Sequence, residues 1–269
     1  MYVARMVSFE GVSMVGRERT RPKLVKAEEV PRPAVPPRRN RVSLVELAYE
    51  RIEDLIINCV LKPGQFLALQ DLGQLTGFSR TPVHQAVSRL ADDTLILVRP
   101  RHGLQIAPID LTRERMLLHL RHDIERFVIR LAAERSGASH RNQFLHMERL
   151  LRERRATMTV DEFNVIDRRI NKLTLRAAGE PFLEHTLRPL HTIFRRIGWI
   201  YHTHNEGKAS LHSTIDCHLA IINAIANRHV DDAVAASDGL IAFVDCIFDA
   251  MEREIDPTLL DCSLEPLVQ

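Results

Sequence analysis

Between residues 43 and 106 the spacing of apolar positions changes repeatedly, and each change marks an element. Leu44, Leu47, Ala48, Ile52, Leu55 and Cys59 recur at helical intervals, which predicts a helix over 43–60 with one buried side. Ser43 stands where a cap belongs, with Glu46 three residues on in capping-box spacing. Pro63-Gly64 stops that helix, Phe66 to Leu69 predicts a brief strand, and Gln70 to Thr76 a short helix ended by Gly77. Ser79 or Thr81 can cap the next helix, with Pro82 in its first turn, where a missing N–H costs nothing. Val83, Ala86, Val87 and Leu90 form its buried side and leave Arg80, His84, Gln85, Ser88 and Arg89 outside, with no acidic residue before Asp92. Leu95 to Val98, a basic turn Arg99-Pro-Arg-His-Gly, and Leu104 to Ala107 then read as strand, turn and strand. A short helix with a cationic outer face followed by a basic hairpin suits a phosphate-lined groove, as a recognition helix and a wing.

From Asp110 onward the period is helical throughout. Leu117, Leu120, Ile124, Val128 and Leu131 predict a helix ending near Gly137. Further helices are predicted at about 140–157, 160–178, 181–204, 210–227 and 230–255, divided by Gly179-Glu-Pro, Asn205-Glu-Gly and Arg228-His229. Six helices with short joints make an antiparallel bundle, which places ligand sites between facing helices. The expected fold is mainly α: a winged helix-turn-helix with a small β-hairpin, then an all-α bundle. The expected organisation is a flexible basic arm (1–41), a winged helix-turn-helix domain (42–109), a helical bundle domain (110–257) and a tail (258–269), with Pro108-Ile109-Asp110 as the linker.

Composition narrows the classes further. Hydrophobic residues make up 45% and charged residues 27%, as in a solvated globular protein. The net charge of +2 is too small to diagnose a nucleic-acid partner, so the placement of charge has to carry that case. Residues 1–41 hold ten Lys or Arg, four Glu and five Pro without sustained periodicity, which reads either as an unordered terminus or as an arm touching DNA phosphates. Cys59, Cys217, Cys246 and Cys262 form no CxxC pair, which fits reduced thiols in a cytoplasm. No apolar run is long enough to cross a bilayer, and the first twenty residues lack the apolar core of a signal peptide. HExxH, phosphate-loop and GxSxG patterns are all missing, which argues against an enzyme. The alternatives are a helical metal-dependent enzyme tethered to a DNA-binding head, and an architectural DNA-binding protein.

The stretch LKPGQFLALQDLGQLTGFSRTPVHQAVSRLADDTLILVRPRHGLQI resembles the DNA-binding domain of GntR-family bacterial transcriptional regulators. Pro63-Gly64, Leu72, Gly77, Ser79-Arg80-Thr81-Pro82-Val83, Ala86, Arg89-Leu90 and His102-Gly103 carry the match. The resemblance implies DNA contacts by Arg80, Thr81, His84 and Gly103, with Ser79 capping or reaching a phosphate and Arg89, Arg101 and His102 beside them. Two positions depart from the family pattern: His84 replaces the usual arginine of the recognition helix, and Gln70 stands where Glu or Arg is common.

The second half resembles the FCD effector domain of the FadR-like branch of that family, in its shorter, VanR-like six-helix version. Arg121-His-Asp-Ile-Glu125, Leu131-Ala-Ala, Asp167, Ala177-Ala-Gly-Glu-Pro-Phe and His218-Leu-Ala-Ile-Ile-Asn-Ala-Ile carry it. Many FCD domains hold a divalent metal with Asp-x-x-x-His and two later histidines. The resemblance puts Asp167, Asn171 and His218 at three of those positions and Leu240 at the fourth, so a zinc or nickel site would be incomplete. His218 otherwise reads as a buried hydrogen-bonded histidine, and Asp167 as the partner of a basic side chain. Arg121 matches an inward position whose fork can hold a carboxylate, with Asn171, Arg195 or Arg196, and His218 completing a pocket for a small organic acid. The family further implies a homodimer on a near-palindromic double-stranded operator, repression relieved by effector, and no membrane partner.

Overall fold

The computed structural model describes residues 43–204 and 208–264, so the basic arm expected at 1–41 lies outside the described residues. Helix α1 (Leu44–Ile57) starts at Ser43, whose side chain accepts from the Val45 amide. The expected capping box does not close, because Glu46 is drawn into ion pairs with Arg89 and Arg188. Strand β1 (Phe66–Leu67), α2 (Leu69–Thr76), α3 (Arg80–Asp92), β2 (Ile96–Arg99) and β3 (Gly103–Ile106) follow. The three strands form one antiparallel sheet in the order β1-β3-β2, with Leu67 opposite Leu104 and Arg99 opposite Gly103. Gly77 ends α2 in the left-handed region at φ 74°, so that α3 turns across α1. Tyr49, Ile52, Ile56, Leu72, Val83, Ala86, Leu90, Leu95 and Ile106 close the small core beneath.

Six long helices make up the second half: α4 (Leu111–Arg135), α5 (Ala138–Arg154), α6 (Val160–Ala178), α7 (Pro181–His204), α8 (Lys208–Ala226) and α9 (Val230–Glu254). They fall within a few residues of the expected spans because their stops are local: Gly179 at φ 71° ends α6, and Thr159 with Glu162 closes a capping box at its start. Helix α4 packs on α6 and α9, α8 on α5 and α9, and α7 lies between α6 and α1.

The inner face of α4 differs from expectation. Leu120 is half exposed, whereas Leu118, Arg121, Glu125, Val128 and Ala132 are buried. The apolar period is displaced because a buried ion pair occupies two of the inward positions, and charged residues are invisible to a hydrophobic count. The stretch from 258 is also more than a tail. The short helix α10 (Pro257–Leu260) brings Leu260 to the linker, where its carbonyl accepts from the Ile109 amide at 2.8 Å. Beyond it the Cys262 amide donates to the Pro63 carbonyl at 2.9 Å. Gly64 suits this docking: at φ 80° it has no Cβ, and one would sit 2.0 Å from Asp261 Oδ1.

Candidate nucleic-acid interface and bundle pocket

The first turns of α3 present Ser79, Arg80, Thr81, His84 and Gln85 to solvent, while Pro82, Val83, Ala86 and Val87 face the core. Ser79 is the cap residue by position, but its side chain makes no capping bond, which leaves the hydroxyl exposed. Arg101, His102 and Gly103 are exposed at the tip of the wing. Gly103 has φ 84°, and a Cβ there would lie 2.9 Å from the Leu67 carbonyl oxygen. Its role is therefore to let β3 approach β1. Arg89 departs from the expected outer face: it pairs with Glu46 at 2.8 Å and lies over the Tyr49 ring. A carboxylate and an aromatic face on α1 hold it against its own domain.

The wing tip is strained in a telling way. The His102 amide closes a turn onto the Arg99 carbonyl at 3.0 Å, with Pro100 second and Arg101 third at φ 67°. That is a type II pattern, in which the third position favours glycine. Arg101→Gly is expected to raise stability by up to about 1 kcal/mol in chemical denaturation. It should also weaken operator binding and shallow its salt slope by about one unit. An unchanged slope would mean that the tip touches no phosphate.

Inside the bundle, α4, α6, α7, α8 and α9 enclose a cavity of about 60 Å³. Phe163, Phe194, Leu240, Phe243 and Val244 form its apolar walls, and Arg121, Asp167, Asn171, His191, Arg195 and His218 its polar ones. Asp167 and Asn171 lie one turn apart on α6, and the Asn171 amide donates to Asp167 Oδ2 at 3.1 Å. His218 Nε2 lies 2.9 Å from Asp167 Oδ1, and Nδ1 lies 2.8 Å from the Thr214 carbonyl. A carbonyl and a carboxylate can only accept, so both ring nitrogens donate and the ring is an imidazolium. Burial opposes that charge, but the hydrogen bond and charge of Asp167 outweigh it and raise the His218 pKa. Burial likewise works to raise the Asp167 pKa, and His218 and Arg195 overcome it and hold the carboxyl low.

Arg121, the expected carboxylate fork, lines the pocket but is already engaged. Its Nε and Nη2 reach Glu125 at 2.5 and 3.3 Å, and its guanidinium lies over Phe194. Arg195 also lines the pocket, whereas Arg196 points to the linker and donates to the Ala107 carbonyl at 2.8 Å. Of the two arginines, Arg195 is the one that lines the cavity. Each of the three cations has a carboxylate within reach: Arg121 has Glu125, His218 has Asp167, and Arg195 lies 3.7 Å from Asp167 and 3.5 Å from Glu53 of α1. In the sequence Glu125 carried the family motif without a role in the site, although its i+4 spacing from Arg121 signals the pair, and His191 counted only among the histidines (His185, His191, His202, His204, His212) that could stand in as metal ligands.

Two family models match this chain: the gntR family of bacterial regulatory proteins over residues 44–106, and the FCD domain over residues 116–243. The chain is a GntR-family regulator with an FCD domain. It is 27% identical over 179 residues to the HTH-type transcriptional repressor RspR of Escherichia coli K12, covering 65% of this chain and 76% of that one. An uncharacterized HTH-type transcriptional regulator in the TAR-I ttuE-ttuC' intergenic region of Agrobacterium vitis is 37% identical over 65 residues, 24% of this chain and 38% of that one. Among solved structures, E. coli McbR/YncC superposes with a TM-score of 0.69 at 17% identity, over 79% of this chain and all of that one, which shows a shared fold. The matched families and relatives are transcriptional regulators, not enzymes.

The family's metal positions are occupied differently in this GntR-FCD chain. Asp167 and His218 are turned on each other, Asn171 offers Asp167 an amide nitrogen, and Leu240 lines the wall as a hydrocarbon. Among the described residues no group of three His, Cys, Asp or Glu side chains is arranged to hold an ion. The residues present do not fit zinc or nickel, which need deprotonated, converging ligands. An imidazolium locked to a carboxylate occupies the place instead.

Proposed function

We propose that this chain is a cytoplasmic transcriptional repressor whose affinity for a double-stranded operator is set by a small organic acid bound in the FCD pocket. What supports the reading most is the gathering of Arg121, Arg195 and His218 on the polar wall of a partly apolar cavity between helices, a place suited to a carboxylate with a short hydrocarbon body. Ser79, Arg80, Thr81 and His84 on α3, with Arg101 and His102 on the wing, are the proposed DNA contacts. Arg121, Asp167, Asn171, Arg195 and His218 are the proposed effector set. A homodimer would set two recognition helices into successive major grooves. Met116, Leu120 and Phe127, 50–63% exposed along one side of α4, support such an association. No helix among the described residues is long and apolar enough to cross a membrane.

Calorimetric titration of the full chain with acetate, succinate and benzoate tests the proposal. At least one acid should bind and change operator affinity. Arg121→Ala should weaken that acid at least tenfold, since it removes a cation and leaves Glu125 facing the cavity. Undiminished binding by Arg121→Ala would refute the assigned pocket.

A further inference from the structure

Arg195 and His191, one turn apart on α7, are shared between the inner pocket and the seam with the DNA-binding domain. On one side they line the cavity; on the other they line a crevice where Glu46, Glu50 and Glu53 of α1 face Arg168, Lys172 and Arg188. Arg195 is 7% exposed, and its three nitrogens are used unequally. Nη2 donates to Thr192 Oγ1 at 3.0 Å and stands 3.5 Å from Glu53 Oε1. Nε reaches the His191 carbonyl at 3.3 Å and lies 3.7 Å from Asp167 Oδ2. Nη1 is buried without any hydrogen-bond partner, and so is His191 Nε2, which stands 3.6 Å from Glu125 Oε1. A buried guanidinium N–H left unpaired is costly, so the Arg195 Nη1 side of the pocket is built for an acceptor that the described residues do not supply.

Glu53 is what Arg195 holds in its absence. This carboxylate belongs to the DNA-binding domain, yet it is only 2% exposed and is set against α6 and α7. Its Oε1 accepts from Thr192 Oγ1 at 2.5 Å, and its Oε2 lies 3.2 Å from Arg168 Nη2.

We propose that an acid in the bundle pocket seats its carboxylate on Arg195 Nη1 and His191 Nε2, and that it competes there with Glu53 of α1 for the Arg195 guanidinium. Filling the pocket then loosens the DNA-binding domain from α7. The inference rests on the reading of the bundle as an organic-acid receptor. A carboxylate taken end-on by a guanidinium uses both Nη atoms. Nη2 is the one already committed to Thr192 and Glu53, so a bidentate acid must draw it away from α1. Coupling of this kind is reciprocal: weakening the hold of Glu53 must tighten the acid by the same factor.

The test titrates wild type, Glu53→Gln and Arg195→Lys, as full chains, with acetate, succinate and benzoate, and follows hydrogen exchange of α1 with and without each acid. Glu53→Gln keeps the shape and the Thr192 contact but removes the charge. It should bind the acid about fivefold or more tightly than wild type, the low end of ordinary coupling. In wild type the acid should speed exchange along α1. Arg195→Lys, a point charge without a fork, should lose most of the affinity. Acid binding by wild type with equal or weaker binding by Glu53→Gln would overturn the competition, and full affinity in Arg195→Lys would overturn the seat. If none of the three acids binds any of the proteins, the receptor reading falls first and this inference with it. Should Glu53→Gln fail to fold, Glu53→Asp, which draws the charge back by one methylene, should show the same direction.

Discussion

Tyr49→Ala is expected to lower the unfolding free energy by about 3–5 kcal/mol, the range for truncating a buried aromatic to alanine. Tyr49 is fully buried in α1 and serves three elements. The guanidiniums of Arg89 on α3 and Arg188 on α7 lie 4.5 and 4.0 Å from its ring centroid, and its hydroxyl donates to Asp93 Oδ2 at 2.6 Å. Removing the ring opens a cavity in the DNA-binding domain and strips both arginines of their aromatic face. Tyr49→Phe keeps the ring and loses only the hydroxyl bond, so it should cost about 1–3 kcal/mol. Urea denaturation of the two variants checks the ordering. Equal losses would mean that the hydroxyl, not the ring, holds the seam.

Asp167→Ala should be of similar size, about 3–5 kcal/mol, because it strands a buried imidazolium and removes a charge from beside Arg195. Its pH dependence separates it from a simple cavity. The His218 pKa is raised above its ordinary 6.5, so its share of the stability is fully present below that value and is lost as pH rises through the folded pKa. The Asp167 pKa lies below its ordinary 3.8, so its share is present above that value and lost as pH falls through the folded pKa. The stability gap between wild type and Asp167→Ala should therefore be widest between these limits, near pH 6, and should narrow as pH rises through the folded His218 pKa. A gap independent of pH would show that the pair is not ionic.

Much of the architecture was legible because its signals are local. The cap at Ser43, the glycines at 77 and 179, and the basic turn before Gly103 act over three or four residues, and the elements end where such signals say. The misreadings share one cause. Glu46 failed to close a capping box, Arg89 left the outer face, and α4 buried Glu125 beside Arg121 while Leu120 stayed half exposed, each because a charged partner waited on the same or another helix. Intrinsic spacing cannot weigh a partner that lies 142 positions away, as Arg188 does from Glu46.

The sequence by itself determined the recognition helix, the wing and the six-helix bundle, since periodicity, caps and turn residues specify these without reference to distant partners. It also placed Asp167 and Asn171 on one helix face by their spacing. Only the tertiary structure decided what those residues do. It turned His218 onto Asp167, engaged Arg121 with Glu125, and left Arg195 poised between the pocket and Glu53 of α1. Burial is the physical reason: a charge taken out of water must find its counter-charge, and packing alone determines which one is within reach.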